Sequence, residues 1–222
     1  MKTIIIFCLL LLFIIVLFFT NYQSETISFH KEFLPKDVCK NLIEVADNYE
    51  YETYDEPVDN KPVYEIDIFT DNRLQNPELW KIIEPHYLQK ILPLVQEKYK
   101  NVILDFVFLR RYNTMERKNI SIHTDSNLLS INILLSDPND FTGGEFYIFD
   151  GAFTKKHFYL YENVLSMDEE KKEQFVNSFQ KLPILNMEQG DCVVYEGLKH
   201  LHGVLPVKTG QRYIVSFFFE EA

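Results

Sequence analysis

Basic residues are scarce in this 222-residue chain: 22 Lys and Arg stand against 33 Asp and Glu, for a formal net charge of −11. That balance argues against a nucleic-acid partner, because phosphate backbones are held by Lys and Arg. It admits basic substrates and equally an ordinary soluble surface. Cysteine is scarce too. Cys8 lies in an N-terminal apolar run, so at most one bridge, Cys39–Cys192, can form, and a disulfide framework is excluded. No CxxC pair occurs, which removes the usual structural zinc sites. Internal repeats are absent, as are low-complexity runs beyond the N-terminus. What is plentiful is apolar. Hydrophobic residues make up 46% and aromatics 15%, including 19 Phe and 13 Tyr, a composition that excludes a disordered chain and suits one domain with a sizeable core.

The N-terminus differs sharply from the rest. Residues 4–19, IIIFCLLLLFIIVLFF, form an unbroken apolar run behind Lys2. The run is slightly long for a signal-peptide core and slightly short for a spanning helix. No A-x-A-like cleavage site comes after it in TNYQSET. The expectation is an uncleaved signal anchor over residues 1–22, single-pass, with the body in the endoplasmic reticulum lumen or another secretory-pathway compartment. Cleavage would give a secreted protein instead. Asn119-Ile-Ser121 is a glycosylation sequon, expected to stay unused so close to His123.

Residues 20–30 read as a short polar linker, and 23–100 as a helical support region. Apolar residues recur at helical spacing from Leu34 to Tyr49. A second helix begins with Asn76 as N-cap and Pro77 at its first position, and Pro85 and Pro93 should break or kink the chain up to Tyr99. From about residue 101 strand-like segments take over: 102–112, 128–136, 144–150, 191–196 and 212–220 are rich in β-branched and aromatic residues. All seven glycines fall between Gly143 and Gly210, where turns separate these segments. One helical insert interrupts them, with Ser166 and Glu169 as its capping box. Helices first and many short strands afterwards predict an α+β layout whose 101–222 region is a two-sheet, cupin-like jelly roll, a form that holds ligands in its mouth.

Within that region His123 and Asp125 stand two residues apart, on one face if the segment is a strand. His200 and His202 lie far downstream. Two imidazoles and one carboxylate make the facial ligand set of non-haem Fe(II) oxygenases, leaving three cis positions for a chelating cosubstrate and O₂. Both His200 and His202 can supply the third ligand. Arg212 discriminates, standing ten residues after His202 with Pro206 and Gly210 marking a turn between. A buried arginine there would pair bidentately with a dicarboxylate. His30, His86 and His157 read as surface or capping residues, Gly143 and Gly144 as turn formers, Cys192 as a buried strand residue, and the Phe and Tyr stripe of 213–219 as core.

The ordered set HTD (123–125), GGEF (143–146) and HGVLPVKTGQR (202–212) resembles the catalytic region of the prolyl and lysyl hydroxylases, which are 2-oxoglutarate- and Fe(II)-dependent dioxygenases on a double-stranded β-helix. The tail HLHGVLPVKTGQRYIVSF and the stretch TDSNLLSINILLS are most similar to the procollagen lysyl hydroxylases. The likeness covers about residues 100–220, and more weakly FLPKDVCKNLIEVAD. It implies His123, Asp125 and His202 as iron ligands and Arg212 as the anchor of the far carboxylate of 2-oxoglutarate. Tyr112 matches a tyrosine the family places near that carboxylate, and His200 a second histidine that lines the mouth. Ser216 shares Arg212's strand face and is expected to add a hydroxyl contact. Ascorbate is implied as reductant, and a protein or peptide, with O₂, as the substrate hydroxylated at Lys or Pro. Asp125 disfavours a halogenase. Phe218 stands where nucleic-acid demethylases carry a second arginine. The rival readings are an inactive membrane-anchored jelly-roll binding module and a dioxygenase acting on a small molecule or nucleic acid.

Overall fold

A computed structural model describes residues 27–149 and 163–222. The apolar run at 4–19 with its expected anchoring role, and His157, lie outside the described residues. Among those described, no helix is long and apolar enough to cross a membrane.

Period-two alternation decides the architecture. The longest strand, β12 (Val207–Glu221), pairs along its length with β4 (Val102–Asn113) on one side and β6 (Leu129–Leu134) on the other, all antiparallel. β1 (Ile27–His30) and β10 (Cys192–Tyr195) extend this sheet past β6, while β2 (Glu65–Thr70) and β3 (Arg73–Leu74) extend it past β4. A short β7 (Phe141–Gly143) also pairs with β12. The smaller sheet runs in the order β5 (Ile120–His123), β11 (His202–Val204), β8 (Phe146–Ile148), β9 (Ile184–Leu185). This is the double-stranded β-helix expected from the sequence.

On the outer face of the large sheet, Val107, Leu109, Ile131, Ile133, Val215, Phe217 and Phe219 pack in one buried cluster with Leu42, Leu79, Ile83 and Val95 of the helices. Each such side chain removed from water contributes about 1.5–3 kcal/mol. Helix α1 (Lys36–Ala46) buries Cys39, Leu42 and Ala46 there. α2 (Pro77–His86) starts as expected, with the Asn76 side chain accepting from the Leu79 amide. Pro85 lies inside it, and the helical run continues through a π turn at Tyr87–Ile91 into α3 (Leu92–Lys98). The prolines therefore mark a change of hydrogen-bond pattern rather than a break. The alternate residues of β12, including Arg212, Ile214 and Ser216, face inward between the sheets.

Several expectations change. Residues 27–30 are a strand, not linker: they pair in register with 192–195, and this ladder outweighs their polar composition. The helical support region also contributes β2, paired with β4. The late helix, α4 (Glu169–Asn177), is capped by Asp168, whose carboxylate accepts from the Lys171 amide, while the Ser166 hydroxyl donates to the Asn163 carbonyl. Asp168 directly precedes the first helical residue, so it takes the cap that the Ser166–Glu169 box was expected to form. Cys39 and Cys192 are both buried free thiols.

Candidate metal and cosubstrate site

The antiparallel ladder between β5 and β11 sets His123 directly opposite His202, with ring centroids 4.2 Å apart. Asp125 reaches them from the loop after β5, not from a shared strand face. That loop is pinned by the Asp125 amide donating to the Gly197 carbonyl and by the Leu198 amide donating to Asn127. A Cβ at Gly197 would lie 2.5 Å from the Asn127 carbonyl oxygen and 3.0 Å from Asp125 Cβ, so only glycine lets the two loops approach this closely. Nε2 of each imidazole ends 3.4 Å from Asp125 Oδ1, and one ligand atom from each of the three residues lies within 4.8 Å of the others.

Hydrogen bonding fixes which atoms are offered. His123 Nδ1 lies 2.7 Å from the Ser121 carbonyl and His202 Nδ1 2.9 Å from the His200 carbonyl. A carbonyl only accepts, so each Nδ1 carries a proton and each ring turns Nε2 inward, where the neutral form offers a lone pair. Burial, and then the neighbouring His202, push the His123 pKa down, which favours that neutral form. Asp125 Oδ2 accepts from the Ser130 hydroxyl at 2.5 Å and lies 3.0 Å from the Tyr195 hydroxyl, leaving Oδ1 uncommitted toward the imidazoles. Burial alone would raise the Asp125 carboxyl; the charge of His202 and hydrogen bonds from His123 and His202, which each ring supplies only when protonated, outweigh it and hold it well below the usual carboxylate range. Burial and then Asp125 push Tyr195 far up, so its phenol stays protonated and able to donate. That hydroxyl also lies 3.0 Å from His202 Nε2.

His123, Asp125, Tyr195 and His202 line one inner cavity, partly open to solvent, with Tyr112, Asn132, Arg212, Ser216, Phe146 and others. Arg212 is 3% exposed, and its Nη1 is buried without a hydrogen-bond partner among the described residues. Burial lowers its pKa to about 10, against the opposing pull of Tyr112 and Glu145; it remains a cation at neutral pH. Tyr112 is its register neighbour on β4, with the ring centroid 5.5 Å from the guanidinium carbon. Room for the arginine comes from Gly144, in the left-handed region at φ +70°, where a Cβ would lie 2.9 Å from Arg212 Cδ.

The structure thus brings His123, Asp125, His202, Arg212, Tyr112 and Ser216 to one cavity. Ser216, expected to serve the cosubstrate, donates its single proton at 2.5 Å to Asn132 Oδ1 instead. The Asn132 amide in turn donates to Tyr195 at 2.9 Å, so Ser216 starts a chain ending at the ligand carboxylate. His200 does not line the mouth: it is fully buried, and its Nδ1 lies 2.9 Å from the Phe149 carbonyl. Sequence reasoning missed Ser130, Asn132 and Tyr195. A signal was present, for Ser130 and Asn132 stand two apart in an otherwise apolar strand, which places two polar groups on one inner face.

The donor set fits a six-coordinate Fe(II) with open positions. The orphaned, buried guanidinium fits the distal carboxylate of a short dicarboxylate.

Neither protein-family models nor curated protein sequences give a match to the chain. Solved structures do. HygX from Streptomyces hygroscopicus, with nickel, 2-oxoglutarate and hygromycin B bound, aligns at TM-score 0.61 and 13% identity over 92% of this chain and 86% of that one. A Pseudomonas putida prolyl-4-hydroxylase aligns at 0.58 and 15% identity over 91% and 96%. A Trichoplax adhaerens prolyl hydroxylase, in complex with a hypoxia inducible factor peptide fragment, aligns at 0.59 and 8% identity over 91% and 86%. The chain has the double-stranded β-helix fold of the 2-oxoglutarate/Fe(II) oxygenases.

Proposed function

We propose that the protein is a 2-oxoglutarate- and Fe(II)-dependent dioxygenase that hydroxylates a protein side chain, at Lys or Pro. One observation carries the reading: a buried, unpartnered Arg212 guanidinium shares a cavity with two Nε2 lone pairs and a carboxylate oxygen aimed at one point. His123, Asp125 and His202 would hold the metal, and Arg212 would hold the far carboxylate of 2-oxoglutarate, with Tyr112 beside it. When bound, Fe(II) and 2-oxoglutarate supply O₂ activation coupled to oxidative decarboxylation, giving succinate, CO₂ and a hydroxylated C–H carbon.

The chain's own groups do the rest. Ser130 and Tyr195 hold Asp125 so that a single oxygen faces the metal position. The Ser121 and His200 carbonyls hold both imidazoles in the ligating tautomer. Phe146, Ile214 and Val204 line the cavity and limit water around the reacting atoms. The peptide substrate is supported by the resemblance to prolyl and lysyl hydroxylases and by peptide-bound and prolyl-hydroxylase structures of the same fold. Ascorbate as reductant rests on the resemblance alone, and a secretory-pathway membrane location on the apolar run at 4–19 alone.

The test is spectroscopic. Anaerobic protein with Fe(II) and 2-oxoglutarate is expected to show a visible charge-transfer band that His123→Ala abolishes. Succinate release, screened across Lys- and Pro-containing peptides, then identifies the residue hydroxylated. Wild-type protein without the band would favour the inactive binding module.

A further inference from the structure

A second guanidinium faces the same cavity and has no role in holding metal or cosubstrate. Arg110 is 6% exposed and lines the cavity two residues before Tyr112, on the same face of β4. Its position is fixed on three sides. Nε donates to Glu65 Oε2 at 2.7 Å. Nη2 contacts the same Glu65 oxygen at 2.6 Å and Glu56 Oε2 at 2.9 Å. The guanidinium carbon lies 4.8 Å from the centroid of the Phe108 ring, itself a cavity-lining residue. These contacts run through Nε and Nη2 and leave Nη1 outside the carboxylate pairing. The guanidinium is therefore held in advance at a cavity wall, and a group binding its remaining nitrogen would bear little ordering cost on the protein side.

Charge decides what that partner is. One guanidinium is already shared by two carboxylates, and Glu65 also accepts from the Tyr54 hydroxyl. Asp67 stands at the next inward position of β2, opposite Phe108 in register. The neighbourhood is net negative although a cation lines the cavity, so a further carboxylate meets repulsion while a neutral oxygen does not.

Resting on the dioxygenase reading above, we infer that Arg110 Nη1 is a specificity-determining donor that takes a neutral carbonyl oxygen of the substrate, as in a peptide amide, and that the surrounding Glu56, Glu65 and Asp67 select against substrates anionic near the reacting residue. Arg212 and Arg110 thus divide the work by charge balance: the unpaired guanidinium takes the dicarboxylate, and the doubly paired one reads an uncharged group.

The experiment uses the full chain loaded with Fe(II) and 2-oxoglutarate. Length-matched Lys- and Pro-containing peptides of net negative, zero and net positive charge are added, and peptide-stimulated succinate release is measured for wild type, Arg110→Lys and Glu56→Gln. Lysine keeps the charge facing Glu65 and Glu56 but lacks the forked Nη1. The expected result is a roughly ten- to hundredfold rise in peptide KM for Arg110→Lys, with the anaerobic charge-transfer band retained. Negative peptides are expected to respond weakest in wild type and to recover in Glu56→Gln, a variant that leaves Arg110 in place should the lysine variant fail to fold. A wild-type peptide KM in folded Arg110→Lys, equal response to all peptide charges, or no response to any peptide while the band is present would each overturn the inference. Absence of the band in wild type is a different failure: it removes the dioxygenase reading, and this inference with it.

Discussion

His123 and His202 face each other across the β5–β11 ladder, and each aims Nε2 at the same Asp125 oxygen from 3.4 Å. With both Nδ1 protons committed to backbone carbonyls, two lone pairs and a carboxylate oxygen converge with little to hold them together. A divalent cation turns that repulsion into coordination, and its binding energy adds directly to folding stability. Addition of Fe(II), or of Mn(II) in air, is therefore expected to raise the melting temperature, by an amount equivalent to about 2.7 kcal/mol at a hundredfold excess over Kd. His123→Ala and His202→Ala are each expected to lose this rise.

Ser130 acts through Asp125, and Tyr195 through Asp125 and His202 Nε2. Tyr195→Phe and Ser130→Ala are expected to weaken metal affinity by about ten- to a hundredfold, as loss of a group orienting a ligand commonly does. Titration with Mn(II) followed by electron paramagnetic resonance measures this. Unchanged affinity in both variants would show that the carboxylate is oriented by its loop alone.

Gly144 and Arg212 form a steric pair. An alanine at 144 meets Val207 Cγ2 at 2.8 Å and Arg212 Cδ at 2.9 Å, in a backbone region costly for a side chain. Gly144→Ala is expected to cost about 1–3 kcal/mol of stability and to raise KM for 2-oxoglutarate while leaving metal affinity near that of wild type. Arg212→Gln should abolish the melting-temperature rise on adding 2-oxoglutarate to metal-loaded protein. Differential scanning fluorimetry with metal alone, then with metal and cosubstrate, separates the two effects.

Asp67 gives the pH signature. Burial, followed by Glu65 and Glu52, raises its pKa to about 6 despite Arg110, against about 4 in an unfolded chain. The folded protein then holds this proton more tightly, so stability falls as pH rises from about 4 to 6 and stays lowered above. Asp67→Asn is expected to stabilise the protein at pH 7.5 by about 1 kcal/mol, discounted for the carboxyl's partial exposure, and to change little at pH 4. Denaturant midpoints at the two pH values check this; equal midpoint shifts at both would contradict it.

The double-stranded β-helix was readable because its signals are local. Alternation in β4, β6 and β12 follows from which side chains tolerate a half-buried pleat. The start of α2 follows from Asn76 and Pro77. Strands β1 and β2 were not readable, since ISFH and EIDIFT carry little apolar excess and owe their form to pairing with β10 and β4. Likewise Ser166 with Glu169 and Asp168 both spell a helix start, and only the position of the first helical turn chooses between them.

By itself, the sequence determined the kinds of atoms available: imidazoles, a carboxylate and an arginine at fixed separations, on segments whose alternation sends them inward. The tertiary structure decided which of those atoms meet. It brought His202 rather than His200 to His123, took the Ser216 proton for Asn132, left an Arg212 nitrogen unpaired, and tied Arg110 to Glu65 and Glu56 through two of its nitrogens. Residue type sets what a group can donate or accept, but register across strands distant in sequence sets what lies within reach, and hydrogen bonds act only at contact.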